Sequence, residues 1–181
     1  MARIIIQPFR TGSGELLLGS FEDRLCLCDW RYRRMRSTVD ARIQRGLNAR
    51  YEEGSSPVIE ATMVQLNEYF NGDRTVFDLP LRLVGTDFQQ RVWKALLAMP
   101  YGVTGTYTSL TAEVAGPTAI RAVASANGAN AISIIVPCHR IIGSSGELVG
   151  YAGGLAAKKK LLELEGAFRE EPDLFTTLAE A

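Results

Sequence analysis

Of the three cysteines in the chain, at positions 26, 28 and 138, only Cys138 stands beside a histidine. It lies in Pro137-Cys138-His139-Arg140, and His139 is the only histidine in the sequence. A thiol attacks carbon as its thiolate, and a free thiol ionises near pH ~8.5, so a nucleophilic cysteine needs a base or a positive neighbourhood. His139 is the one imidazole available for that role. Adjacent side chains on an extended segment point to opposite faces, so contact between the two requires a bend or a bridging water. Cysteine proteases instead draw base and nucleophile from separate segments. Read alone, the dipeptide leaves two readings open, a reactive thiol and a small buried hydrophobe.

The elements that must position Cys138 can be read from periodicity. Glu15 to Ser20 and Arg24 to Trp30 are strand-like with Glu22-Asp23 at the turn, which predicts a hairpin with Cys26 and Cys28 on one face. The stretch around Asn48 to Ser56 is polar and shows no clear pattern. Pro57 fits the first turn of a helix carrying Ile59, Met63, Leu66 and Phe70, closed by Asn71-Gly72. Asp78 to Gly85 reads as a connector, with Thr86 or Asp87 as the cap of a helix bearing Phe88, Val92, Ala95 and Leu96.

Beyond Pro100, Thr108 or Ser109 can cap a short helix through Ala115, and Gly116-Pro117 breaks it. Thr118 can cap a second helix to about Asn127. Two short helices joined by a tight turn form a helix-turn-helix pattern. The apolar run Ile132 to Val136, a turn at Gly143 to Gly146, and a helix from Leu155 to about Glu165 follow, with a loosely held tail from Glu170 to Ala181. The expected organisation is an α/β N-terminal domain with its connector over residues 1–85, a mainly α C-terminal domain over 86–166, and a tail over 167–181.

Composition constrains the class. With 46% hydrophobic residues over 181 positions the chain can build one core or two small ones. Ile4-Ile5-Ile6 ahead of Pro8 is too brief for a secretion signal and no stretch approaches a membrane span, so the expectation is a cytoplasmic protein with reduced thiols and no membrane partner. The net charge is zero, which gives no support to a nucleic-acid partner. Charge can still be segregated. Arg31 to Arg36 is a basic run, read here as a solvated strand end or loop. The second short helix carries small residues, Ala119, Ala122, Ala124, Ser125 and Ala126, with Arg121 as its only charge. So bare a helix suits close approach to a phosphate chain, or tight packing against a neighbouring helix.

Read as a unit, Ile134-Ile135-Val136-Pro137-Cys138-His139-Arg140-Ile141-Ile142-Gly143, followed by Gly150-Tyr151-Ala152-Gly153-Gly154 and Leu161 to Gly166, resembles the active-site domain of O6-alkylguanine-DNA alkyltransferases of the bacterial type. The likeness runs from about Thr86 to Gly166. It implies a ribonuclease-H-like N-terminal domain and direct reversal of DNA alkylation: Cys138 takes the alkyl group from guanine O6, with O4-alkylthymine as a second candidate lesion. The thioether product is not exchanged by cellular thiols, so each molecule acts once. The resemblance also assigns His139 as a base working through water, Glu165 as its orienting partner and Asn130 as the brace of the turn beside the cysteine. Tyr107 is implied as hydrogen-bond partner and proton donor to the flipped guanine. Tyr151 would belong to the pocket loop, the Ala152 amide would meet O6, and the carbonyls of Cys138 and Ile141 would face the exocyclic amine. Arg121 would enter the base stack while Ala122, Ser125 and Ala126 approach the minor groove.

The implied partner is double-stranded DNA containing O6-alkylguanine, bound by a monomer without a small-molecule cofactor. The likeness is inexact at Asn127 and Gly128, where some relatives carry Met and Arg. Some relatives hold zinc in the N-terminal domain through Cys and His. With histidine only at position 139 that ligand set cannot be assembled here, so no metal is expected. Two other classes compete: a helix-turn-helix lesion sensor or regulator using Cys138 as a reactive thiol, and a cysteine hydrolase using Cys138, His139 and Glu165. Adjacency of the first two residues disfavours the hydrolase.

Overall fold

The computed structural model describes residues 1–168. Strands β1 (Ala2–Thr11), β2 (Gly14–Phe21) and β3 (Arg24–Trp30) form an antiparallel meander, and β4 (Ala49–Glu53) adds parallel to β1, giving the order β3-β2-β1-β4. The β2–β3 turn uses Glu22 and Asp23, both at positive φ (49° and 54°). Two left-handed residues make the tight turn whose twist matches the strands it joins. Helix α1 (Arg36–Leu47) crosses from β3 to β4 and α2 (Pro57–Phe70) follows. Ser56 caps α2, its side chain accepting from the Ile59 amide, and Pro57 starts the helix where a missing N–H costs nothing.

The rest is mainly helical: α3 (Asp87–Leu97), β5 (Gly105–Thr106), α4 (Tyr107–Val114), α5 (Ile120–Gly128), β6 (Ile141–Ile142) and α6 (Leu155–Leu164). Thr86 and Gln89 form a reciprocal capping box on α3, an arrangement that satisfies two otherwise orphaned amides. No described helix is long and apolar enough to cross a membrane. The tail expected from Glu170 onward lies outside the described residues.

Several details differ from the sequence reading. The cap of α4 is Thr106, with Ser109 as its box partner, so neither Thr108 nor Ser109 begins the helix. Thr118 caps nothing. A 3-10 turn over Pro117–Ala119 leads into α5 without a side-chain cap, because Pro117 already fixes the first turn. The basic run, expected as a solvated strand end or loop, is the turn between β3 and α1, with Arg33 buried in it and Arg36 as the first residue of the helix; the first ten-residue strand and β4 were not anticipated. Cys26 and Cys28 do not share a face. The β2–β3 register shifts at Gly19/Ser20, leaving Cys26 as the extra residue of a β-bulge. Cys26 therefore joins Leu27 in the α1-side core with Ile4, Val39 and Ile43, whereas Cys28 joins the larger core with Leu18, Leu66, Val92 and Leu161.

The outer edge of β3 is the seam between the sheet and the C-terminal helices. Leu25 exchanges hydrogen bonds with the connector, donating to Pro80 O (2.8 Å) and accepting from the Arg82 amide (2.8 Å). Farther along, the Cys28 amide donates to Ala131 O at 2.9 Å, and Cys28 and Ile132 form a parallel bridge. An edge that would otherwise expose unpaired peptide groups is thus covered by the segment that leads to Cys138.

Candidate active site

The approach to Cys138, through the apolar run Ile132 to Val136, is a pair of sharp turns. The Ile135 amide bonds back to Ser133 O (2.9 Å), which places Ile134 at φ 72°. A β-branched residue there is strained by about 1–3 kcal/mol, and full burial of its side chain in the core holds it in place. Next the Cys138 amide bonds to Val136 O (2.8 Å) across Pro137, whose φ −83° and ψ 60° define an inverse γ-turn. Cys138 then opens a 3-10 turn through Arg140. This is the bend that adjacent Cys and His residues required.

Asn130 holds both turns. Its side-chain amide donates to Val136 O (2.8 Å) and to Cys138 Sγ (3.2 Å), and its Oδ1 accepts from the Ile132 amide (2.9 Å). Burial raises the Cys138 thiol above its usual range, and Asp29 adds to the rise. The Asn130 N–H opposes it most, followed by Lys158 and Arg33. Cys26 is pushed up to about 12 and Cys28 further still by burial. Neither has a side-chain donor aimed at its sulfur among the described residues, and both act as core hydrophobes.

His139 is buried with Nε2 2.7 Å from Glu165 Oε1. Glu165 also accepts from Tyr69 OH (2.7 Å), from Arg140 Nε (2.8 Å) and Nη2 (3.1 Å), and from the Gly102 amide (3.3 Å). Against the opposing effect of burial, the bonds from His139, Arg140 and Tyr69 lower the Glu165 carboxyl from 4.5 to about 2. An ionised carboxylate only accepts, so His139 Nε2 carries its hydrogen. Burial also lowers the imidazole below its ordinary 6.5, Glu165 only partly opposing this, so the ring is neutral at pH 7. Nδ1 is left with a free lone pair. It is buried and has no hydrogen-bond partner among the described residues.

Cys138 opens onto a cavity of about 350 Å³ that it shares with Tyr107, Asn130, Tyr151 and Ala152. Four residues singled out from sequence thus line one cavity with the cysteine, and His139 and Glu165 lie behind it. Tyr107 is half-buried at the start of α4, and burial, then the neighbouring Cys138, raise its phenol so that it keeps its proton. Tyr151 accepts from Trp30 Nε1 at 3.0 Å. Gly153 lets this loop lie on the Trp30 ring, since a Cβ there would stand 2.4 Å from the indole.

Ile141 does not line the cavity. It is fully buried, and its carbonyl accepts from Lys158 Nζ. Arg121, Ala122 and Ser125 are exposed on α5, outside the cavity. Ala126 is a correction: it is 2% exposed, packs in the core, and its carbonyl takes the Trp93 indole N–H at 2.8 Å, so it is not part of the small-residue surface. A larger groove of about 1150 Å³, lined by Arg42, Arg45, Arg82 and Lys94 among others, contains none of these residues. No described cluster of three or more His, Cys, Asp or Glu could hold a metal ion.

Sequence reasoning missed five side chains that build the site. Tyr69 and Arg140 complete the Glu165 cage, and Arg140 also donates to Met99 O at 2.6 Å. Lys158 is fully buried, donates to Ile141 O and to Val149 O (2.7 Å), and is lowered to about 8 by burial. Its position three and four residues before Leu161 and Leu162, on the apolar stripe of α6, was the available signal. Arg33 and Arg34 also border the cavity. Nothing in the basic run separated them from their neighbours.

Comparison with known proteins adds four findings. The family model described as "6-O-methylguanine DNA methyltransferase, DNA binding domain" matches residues 87–167. A methylated-DNA–protein-cysteine methyltransferase of Mycobacterium bovis is 60% identical over 101 residues, covering 56% of this chain and 61% of that protein, so the match spans about three fifths of this relative's length. The crystal structure of Mycobacterium tuberculosis OGT in complex with DNA aligns at 40% identity over 90% of this chain and 92% of that one, with a TM-score of 0.74. The O6-methylguanine-DNA methyltransferase of Pyrococcus kodakaraensis aligns at 26% identity over 90% of this chain and 99% of that one, with a TM-score of 0.64.

Proposed function

The chain belongs to the 6-O-methylguanine DNA methyltransferase family, and from that premise we propose that it repairs DNA by moving the alkyl group of O6-alkylguanine irreversibly onto Cys138. The observation that carries this reading is the Cys138 sulfur, held by Asn130 at a cavity of ligand-binding size beside a neutral buried imidazole.

In the proposed reaction the Cys138 proton passes through a water to His139 Nδ1, the ring nitrogen not engaged by Glu165. The sulfur attacks the alkyl carbon as the carbon–O6 bond breaks. The bonding pair leaves with guanine, and Tyr107 donates the proton that neutralises it. The Tyr107 phenolate regains a proton from the imidazolium through solvent. The net change is thiol plus alkylguanine to thioether plus guanine. No group in the site can cleave the thioether, so turnover ends at one.

Burial of the sulfur beside Asn130 means that a base must leave the duplex to reach it, at lower cost for a damaged pair. Arg121 supports that reading: it is exposed on α5 and makes no hydrogen bond or ion pair among the described residues. Ala122 and Ser125 beside it fit close approach to the minor groove. We read α4 and α5 as a helix-turn-helix and residues 1–85 as a ribonuclease-H-like unit, a reading supported by the order β3-β2-β1-β4 with β4 parallel to β1. Residues 86–166 would be the DNA-binding and transfer unit and 167–181 the tail. The partner is alkylated double-stranded DNA, bound by a cytoplasmic monomer that needs no small-molecule cofactor.

Intact-mass measurement after incubation with a duplex containing O6-methylguanine tests this function. One methyl per chain, mapped to Cys138 and absent from Cys138→Ala, is the expected outcome. An unmodified protein bound to the lesion would replace the reading with the sensor, and repeated turnover would replace it with the hydrolase.

A further inference from the structure

The basic run from Arg31 to Arg36, which leads from β3 into α1, holds four arginines, and the structure gives each a different environment. Arg31 pairs with Glu15 at 2.9 Å. Arg33 pairs with Asp29 at 3.0 Å and is buried, with Nη1 also donating to Asn130 O (3.0 Å) and Nη2 to Gly128 O (2.6 Å). Arg36 pairs with Asp29 and Asp40, each at 2.9 Å. Arg34 alone has no carboxylate and makes no hydrogen bond among the described residues, yet it lies on the rim of the Cys138 cavity with Met35.

Three features make this rim a contact surface. First, it is anchored: Arg33 fastens the loop to the end of α5 through two carbonyls, so Arg34 is carried on a fixed support. Second, it is open, with Tyr32 79% and Met35 49% exposed and Arg34 exposed between them. Third, the facing end of α5 supplies no positive charge. Ala124, Asn127 and Gly128 line that side of the cavity, and beyond Gly128 lies open space where a side chain would begin. A nucleotide entering the cavity brings its flanking phosphates to this rim, where the sole uncommitted cation among these lining residues is Arg34.

We propose that Arg34 contacts a backbone phosphate next to the extruded nucleotide, so that the N-terminal unit grips the DNA strand directly at the mouth of the cavity. This rests on the reading above that the cavity receives a base from duplex DNA. The contact is electrostatic and independent of sequence, and it supplies a charge that a chain of zero net charge must place locally.

The salt dependence of binding tests it. The wild-type protein, Arg34→Ala and Arg34→Lys are titrated by fluorescence anisotropy against a duplex containing O6-methylguanine, over a series of salt concentrations. Loss of one phosphate contact should lower the slope of log K against log salt by about 0.9 in Arg34→Ala. Arg34→Lys should restore it, which a purely structural role would not predict. An unchanged slope in Arg34→Ala, or a slope in Arg34→Lys as low as in the alanine variant, overturns the proposal. Wild-type methylation, read by mass in parallel, separates the two claims. A methylated wild type with an unchanged Arg34→Ala slope removes the Arg34 contact alone. An unmethylated wild type whose slope still depends on Arg34 removes the repair reading and keeps the contact.

Discussion

Replacing Glu165 with Gln asks how much of the site is held by one carboxylate. Glu165 takes bonds from His139, Arg140, Tyr69 and the Gly102 amide, and its pKa falls from 4.5 to about 2. At ~1.36 kcal/mol for each pH unit between the two values, that difference is worth about 3 kcal/mol of stability. A carboxyl depressed in the folded state contributes fully above its unfolded value of 4.5, and the contribution is lost as pH falls through about 2. Glu165→Gln also leaves the Arg140 guanidinium, 7% exposed, without its ion-pair partner. The expected loss at pH 7 is therefore about 3–5 kcal/mol. Urea unfolding of both proteins at a series of pH values from neutral down to about 2 measures it. The gap between them should be constant above about pH 5 and shrink by about 3 kcal/mol towards pH ~2. A gap that stays the same at every pH would refute the reasoning, because the carboxylate charge would then contribute nothing to the difference.

Two further outcomes follow from the cavity. Asn130→Ala removes the donor that most opposes the upward shift of Cys138. The pH profile of Cys138 alkylation by a small haloacetamide should move to higher pH, and the rate at neutral pH should fall about tenfold for each pH step of ~1 through which the profile moves; an unmoved profile would remove Asn130 from thiolate stabilisation. Arg121→Ala should slow transfer from duplex DNA far more than transfer from the free alkylated base, and equal losses would remove Arg121 from base extrusion.

How far the sequence carried this picture varied with the range of the interactions involved. The β2–β3 hairpin, α2 with Pro57 at its start, the connector and the Thr86 cap were legible because turn residues and apolar spacing are local. So was the association of Cys138 with Tyr107, Asn130, Tyr151 and Ala152, through a resemblance spanning one continuous segment. Helix α1 was hidden by its polarity: only Val39, Ile43 and Leu47 of its 12 residues are buried, within a run dominated by charge. The bulge that parts Cys26 from Cys28 depends on pairing with β2, which alternation within β3 does not report. Arg33 looks like its neighbours until the chain closes and brings Asn130, 97 residues away, to its guanidinium. Ala126 was assigned to the surface for its size, whereas the Trp93 hydrogen bond fixes it in the core.

The seam along β3 has a consequence for recombination. The Cys28 amide on Ala131 and the Arg33 guanidinium on Gly128 and Asn130 fasten the sheet to the carbonyls just ahead of the nucleophile, and Asp29 accepts from Ser133 Oγ in the same stretch (3.0 Å). A chimera that joins residues 86–168 to the N-terminal half of a distant relative keeps every residue of the Cys138 motif. Where that relative lacks Arg33 and Asp29, it nonetheless loses the side-chain partners of three closely spaced anchor points, at residues 128, 130 and 133. Buried polar groups without partners cost roughly 1–3 kcal/mol each, so such a hybrid should be loosest at the segment that sets the sulfur. The two halves are exchangeable only as a matched pair, and the match is encoded in Asp29 and Arg33, far from the motif by which the C-terminal half is recognised.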